Sequence, residues 1–216
     1  MAAEKLRIKD NFGLYIILTS PVRGYEYCTN VCVEYELPFI QLRMKEHSEY
    51  RALRVAEKLR YITENSATRL IINDYPRVAR DCAADGVHVG QEDMPFDEVK
   101  ALVGPEMLVG LSTHNPAQTG EACEKMPDYI GIGPVYATPT KKVPDPALGL
   151  DGMKEMLAKA TVPAVCIGGI SLERLPDVLN AGAKNFCMVR PVCEAANPAG
   201  VIKRILDIYR KHGGKK

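Results

Sequence analysis

MPDYIGIGPVYATPTKK, residues 126–142, decides how the whole chain reads. Its apolar run, Tyr129-Ile130-Gly131-Ile132, is short and β-branched like a buried strand. Gly133-Pro134 ends that run, and the loop beyond carries Thr138, Thr140 and Lys141. Hydroxyls donate hydrogen bonds and a lysine adds a compact positive charge. A strand delivering such a loop suits a phosphate or pyrophosphate, although an ordinary polar turn has the same composition. The neighbouring segments decide between the two.

The same unit recurs on both sides. Apolar runs at 14–19, 39–43, 70–72, 86–90, 108–111, 164–167 and 185–189 read as further strands. Helices are predicted at 25–36, 75–84, 97–103, 150–160 and 199–211. Ser48 caps another that runs to about 65, where Leu53, Ala56, Leu59 and Ile62 recur at helical spacing. Asn115 caps a helix with Pro116 at its first position, and Ser171 caps one with Glu173 in its first turn.

Eight strands thus alternate with eight helices in 216 residues. The strands are apolar throughout rather than alternating, as in parallel sheets covered by helices on both faces. This pattern predicts an α/β fold, a TIM (β/α)8 barrel, as a single domain over 1–216 with a frayed tail from about 211. A doubly wound open sheet is the alternative, and it would not usually need eight parallel strands in so short a chain.

Composition narrows the function classes. A formal net charge of +1 gives no global field for nucleic acid or membrane, and the absence of tryptophan weakens any base-stacking case. No apolar run is long enough to span a bilayer, and the polar N-terminus lacks a secretory segment, so a cytoplasmic location is expected. The seven cysteines form no C-x-x-C pair and read as reduced, mostly buried thiols. Small phosphorylated molecules are the expected partners, and a homo-oligomer is left open.

In a barrel, functional residues gather at the C-terminal ends of the strands. Taken in order, those ends give Gln41, Arg43 and Lys45; Asn73 and Asp74; Asp93; Ser112; Thr138, Thr140 and Lys141; Gly168 and Gly169; Val189 and Arg190. Gln41, Arg43 and Lys45 alternate and so point the same way, and converging cations favour an anionic ligand over a merely solvated edge. Asp74 and Asp93 either cap helices or hold Mg2+ beside a polyanion. Gly168-Gly169 suits close backbone approach to phosphate or a simple tight turn. His88, inside an apolar strand, reads as a core histidine, and His114 as a supporting group near Ser112.

These rim residues resemble the thiamine-phosphate synthase (thiamine-phosphate pyrophosphorylase) family. The matching runs are QLRMK at 41–45, IIND at 71–74, GVHVGQEDM at 86–94, GLSTH at 110–114, DYIGIGPVYATPTKK at 128–142 and PAVCIGGI at 163–170. That family joins a pyrimidine methyl diphosphate to a thiazole ethyl phosphate, or its carboxylated form, and releases pyrophosphate. The resemblance implies that Gln41, Leu42, Arg43, Met44, Lys45, Asn73, Ser112 and Lys141 bind the pyrimidine diphosphate. Among them Arg43, Lys45, Ser112 and Lys141 would be catalytic. Thr138, Pro139, Thr140, Gly169, Val189 and Arg190 would contact the thiazole phosphate, and Asp74 and Asp93 would coordinate Mg2+.

The chemistry of the residues agrees with this assignment. Departure of diphosphate needs its growing charge neutralised, which cations and Mg2+ supply. The thiazole nitrogen already has a lone pair, so the lack of an obvious Ser-His-Asp or Cys-His set is consistent. The chain departs from the family at Arg190-Pro191, where a serine-alanine pair is usual, and at Glu34–Pro38, which lacks the usual small residues. The rival readings are a thiazole tautomerase of the same fold and a non-catalytic phosphate-binding barrel. The two acids and the cations argue against both.

Overall fold

A computed structural model describes residues 8–138 and 145–214. The strands are β1 (Leu14–Leu18), β2 (Phe39–Leu42), β3 (Arg69–Asn73), β4 (Gly86–Val89), β5 (Leu108–Thr113), β6 (Tyr129–Ile132), β7 (Ala164–Cys166) and β8 (Asn185–Met188). They pair in parallel in sequence order, and β8 pairs with β1, closing the barrel. The expected TIM barrel is therefore observed. Helices α1 (Tyr25–Glu34), α2 (Glu49–Thr63), α3 (Pro76–Asp81), α4 (Phe96–Val103), α5 (Pro116–Glu124), α6 (Gly149–Lys159) and α7 (Leu175–Asn180) follow successive strands. After β8 come a one-turn helix, α8 (Arg190–Cys193), and then α9 (Pro198–Lys211).

The pleat sorts side chains into two apolar layers, because successive strand residues point to opposite faces. Leu14, Ile16 and Leu18 pack outward beneath the helices, while Tyr15 and Ile17 fill the barrel with Phe39, Ile71, Leu108 and Tyr129. The end opposite the functional rim is closed by buried Asn185. Its Oδ1 accepts from the backbone of Phe12 and Gly13 at 2.6 and 3.0 Å, and its Nδ2 donates to the Asp10 and Ala164 carbonyls. Tyr209 on α9 adds a 2.6 Å bond to Asn11.

Ser48 and Asn115 cap α2 and α5 as expected, each accepting from the backbone N–H three residues on. One expected helix start is displaced, and one observed helix was not expected. The helix after Ser171 begins at Leu175, because Pro176 has no N–H to give Leu172 and is tolerated only within the first turn. The extra helix α8 begins at Arg190 with Pro191 in its first turn, so the proline read as a departure from the family starts a helix. All seven cysteines are unpaired and six are buried. No described helix is long and apolar enough to cross a membrane.

Candidate active site

The strands open at their C-terminal ends onto a cavity of about 710 Å³. Gln41 and Arg43, two apart on one face of the β2 segment, both line it, as do Asn73, Ser112, Thr138, Gly169, Val189 and Arg190. Leu42 and Met44 do not. They are 1% and 4% exposed and lie in the outer layer, because each is one residue out of phase with Gln41 and Arg43. Their side chains therefore face away from the cavity, which leaves their backbone to make the expected contact with a ligand. Pro139, Thr140 and Lys141 lie outside the described residues.

Lys45, Asp74 and Asp93 cluster at the rim beside Asn73. Lys45 Nζ stands 2.8 Å from Asp74 Oδ2, and Asp93 Oδ2 accepts from the Gly90 N–H at 2.7 Å. Neither acid caps a helix, since Tyr75 precedes α3 and Pro95 precedes α4. Burial pushes the Asp74 carboxyl up to about 6. The Lys45 hydrogen bond opposes that rise, and a hydrogen bond that the protonated Asp74 carboxyl donates to Asp93 adds to it. Asp74 also holds a left-handed backbone, φ +60°, a strained conformation that directs a carboxylate at this spot.

Two adjacent hard-oxygen donors, one of them held up by its surroundings, suit a small divalent cation. Its remaining ligands would come from phosphate and water, as no cluster of three or more His, Cys, Asp or Glu stands among the described residues.

Two buried polar atoms, Gln41 Oε1 and Asn73 Nδ2, have no hydrogen-bond partner among the described residues. Buried polar groups are normally satisfied, so an orphaned acceptor and an orphaned donor in cavity-lining residues mark a place for a ligand. On the far half of the rim, Gly168 and Gly169 adopt φ of +101° and +62°. A Cβ on Gly168 would lie 2.5 Å from Pro134 Cα, so only glycine lets the β7 turn pack against the loop after β6.

The sequence reading singles out neither Tyr15 nor Arg174 and does not anticipate the bonds that His88 and Tyr129 make. His88 is not an inert core residue: its Nε2 lies 2.9 Å from Ser112 Oγ and its Nδ1 lies 3.1 Å from Tyr129 OH. Tyr129 OH is 3.0 Å from Tyr15 OH, which accepts from Gln41 Nε2 at 2.9 Å. Burial pushes both phenols up, so both keep their protons. The available signal was polar tips at Tyr15, His88 and Tyr129 within otherwise apolar runs. Arg174 donates to the Gly169 carbonyl at 3.0 Å and lies over the Tyr136 ring at 4.6 Å, bracing the glycine turn. His114, which also lines the cavity, has its Nδ1 2.6 Å from the Gly133 carbonyl.

A sequence model of the thiamine monophosphate synthase family matches residues 14–192. The thiamine-phosphate synthase of Gloeobacter violaceus is 42% identical over 162 residues, which is 75% of this chain but 47% of that relative's length. The thiamine-phosphate synthase of Caldicellulosiruptor saccharolyticus is 33% identical over 211 residues, 96% of both chains. Among solved structures, the thiamine phosphate pyrophosphorylase from Pyrococcus furiosus is similar with a TM-score of 0.85 and 25% identity, covering 94% of this chain and 98% of that one.

Proposed function

The chain belongs to the thiamine monophosphate synthase family, and from that premise we propose that it is a thiamine-phosphate synthase. It joins an aminopyrimidine methyl diphosphate to a thiazole ethyl phosphate and releases pyrophosphate. The observation that carries this reading is one cavity with anion-suited groups on both halves of its rim. Arg43, Asn73 and Ser112 line the first half, and Thr138, Gly169 and Arg190 line the second. One acceptor of a single phosphate would need only one of these sets.

The carbon–oxygen bond of the pyrimidine diphosphate breaks with its electron pair leaving on oxygen. The thiazole nitrogen lone pair then forms the new carbon–nitrogen bond. Arg43 and Lys141 stabilise the departing charge, and Lys45 orients Asp74 beside it. Mg2+ held by Asp74 and Asp93 would supply further neutralisation of the diphosphate. The orphaned groups of Gln41 and Asn73 hold the aminopyrimidine ring, and alignment of two bound substrates contributes much of the remaining acceleration. A cytoplasmic location fits seven unpaired thiols.

Incubation with both phosphorylated substrates, with and without Mg2+, tests the reading through pyrophosphate release. No release in the presence of both substrates and metal overturns it, and isomerised thiazole without release marks a tautomerase. Lys141→Ala is expected to lower turnover by about 10²-fold or more, as loss of one electrostatic donor does elsewhere; near-normal turnover removes Lys141 from this role. Asp93→Ala is expected to raise the Mg2+ concentration needed for half-maximal activity by about tenfold or more. An unchanged titration argues against metal at Asp93.

A further inference from the structure

We infer that a one-way chain of hydrogen bonds through the barrel interior fixes His88 as its Nε2–H tautomer and makes Ser112 a hydrogen-bond donor to the cavity. The direction begins at Gln41, whose Nε2 is 2.9 Å from Tyr15 OH and can only donate. Tyr15 then spends its single proton on the Tyr129 oxygen, 3.0 Å away. Tyr129 in turn donates to His88 Nδ1 at 3.1 Å. A neutral imidazole that accepts at Nδ1 carries its proton on Nε2, here 2.9 Å from Ser112 Oγ. Ser112 Oγ accepts the hydrogen bond from that N–H and turns its own O–H toward an acceptor in the cavity it lines.

Each hydroxyl has one proton to give, so the choice made at the amide propagates to the other end. The opposite amide orientation would make Oε1 accept from Tyr15 and reverse every bond, so that Ser112 donates to His88 Nε2 and can only accept on its cavity side. The first orientation leaves Oε1 as the unpartnered acceptor, which suits the exocyclic amine of an aminopyrimidine. Aligned bonds in a buried chain polarise one another, strengthening the final donor.

Resting on the synthase reading, the donor at Ser112 meets a lone pair of the pyrimidine diphosphate, and Ser112 is neither base nor nucleophile. Tyr15, Tyr129 and His88 are positioning residues. They form one connected unit with stacking between the His88 and Tyr129 rings, whose centroids are 5.4 Å apart.

Nitrogen NMR of the full chain labelled with ¹⁵N-histidine tests this, with the His88 signals identified by their loss in His88→Asn. The expected result is a protonated Nε2 and a bare Nδ1 in the unmodified protein. That pattern persists in Ser112→Ala and gives way to a mixture of tautomers in Tyr129→Phe. In parallel, Tyr129→Phe lowers kcat by about tenfold, the scale of one lost hydrogen bond, with KM for the thiazole phosphate unchanged. A protonated Nδ1 in the unmodified protein overturns the inference. So does a tautomer that shifts in Ser112→Ala but not in Tyr129→Phe. Because the spectrum needs no turnover, a protein with the expected tautomer and no pyrophosphate release supports the chain while refuting the synthase reading.

Discussion

Arg43→Ala is expected to lower kcat by about 10²–10³-fold, the scale of losing one preorganised donor aimed at developing charge. Arg43 lines the cavity, and among the described residues its guanidinium makes a long 3.5 Å contact with Thr19 Oγ1. Lys45 is committed to Asp74 at 2.8 Å, so Arg43 has more of its donors to offer a diphosphate. Arg43→Lys keeps the charge but loses the fork, and should fall between the two. Steady-state kinetics with both substrates check this, beside a thermal melt that should hardly move, because the guanidinium faces the cavity. Turnover close to that of the unmodified protein would refute the role of Arg43.

Gly110→Ala should cost about 3 kcal/mol of stability, at the upper end for overpacking a filled interior. Gly110 on β5 is paired with His88 on one side and Tyr129 on the other. A Cβ there would stand 2.2 Å from Tyr129 Cζ and 2.5 Å from His88 Nδ1. Both neighbouring strands are locked by their own ladders, so the ring has nowhere to retreat. The missing side chain is what lets the phenol and imidazole meet. A fall in Tm of about 6–12 °C is expected for a chain of this size, with a loss of activity that persists at temperatures where the variant is folded. Gly131→Ala is the control, since its nearest contact would be an ordinary 3.4 Å to His88 Cε1. Equal melting temperatures for the two variants would contradict the packing argument.

The barrel was legible because eight apolar runs alternate with helical segments, and because Ser48 and Asn115 announce helix starts by local chemistry. The positions of Gln41, Asn73, Asp74, Ser112 and Val189 were legible for the same reason: each stands at or next to the end of its strand. Which members of a run face inward was harder. Gln41 to Lys45 is contiguous in sequence, but the pleat sends Leu42 and Met44 to the opposite layer. The bond chain from Gln41 to Ser112 was invisible, because it joins five residues from five strands whose relative heights are set by register and closure. Arg174 escaped notice because its partners, Gly169 and Tyr136, meet only once two loops are packed.

The pairing of β8 with β1 has a further consequence for how copies of this chain can associate. An open sheet offers a row of free peptide groups to which another strand can be added, the route by which fibrils grow. A ring has no such row while it stays closed. Any assembly of the folded protein must therefore be built from side chains on its helices and loops, and templated strand addition requires the ring first to break.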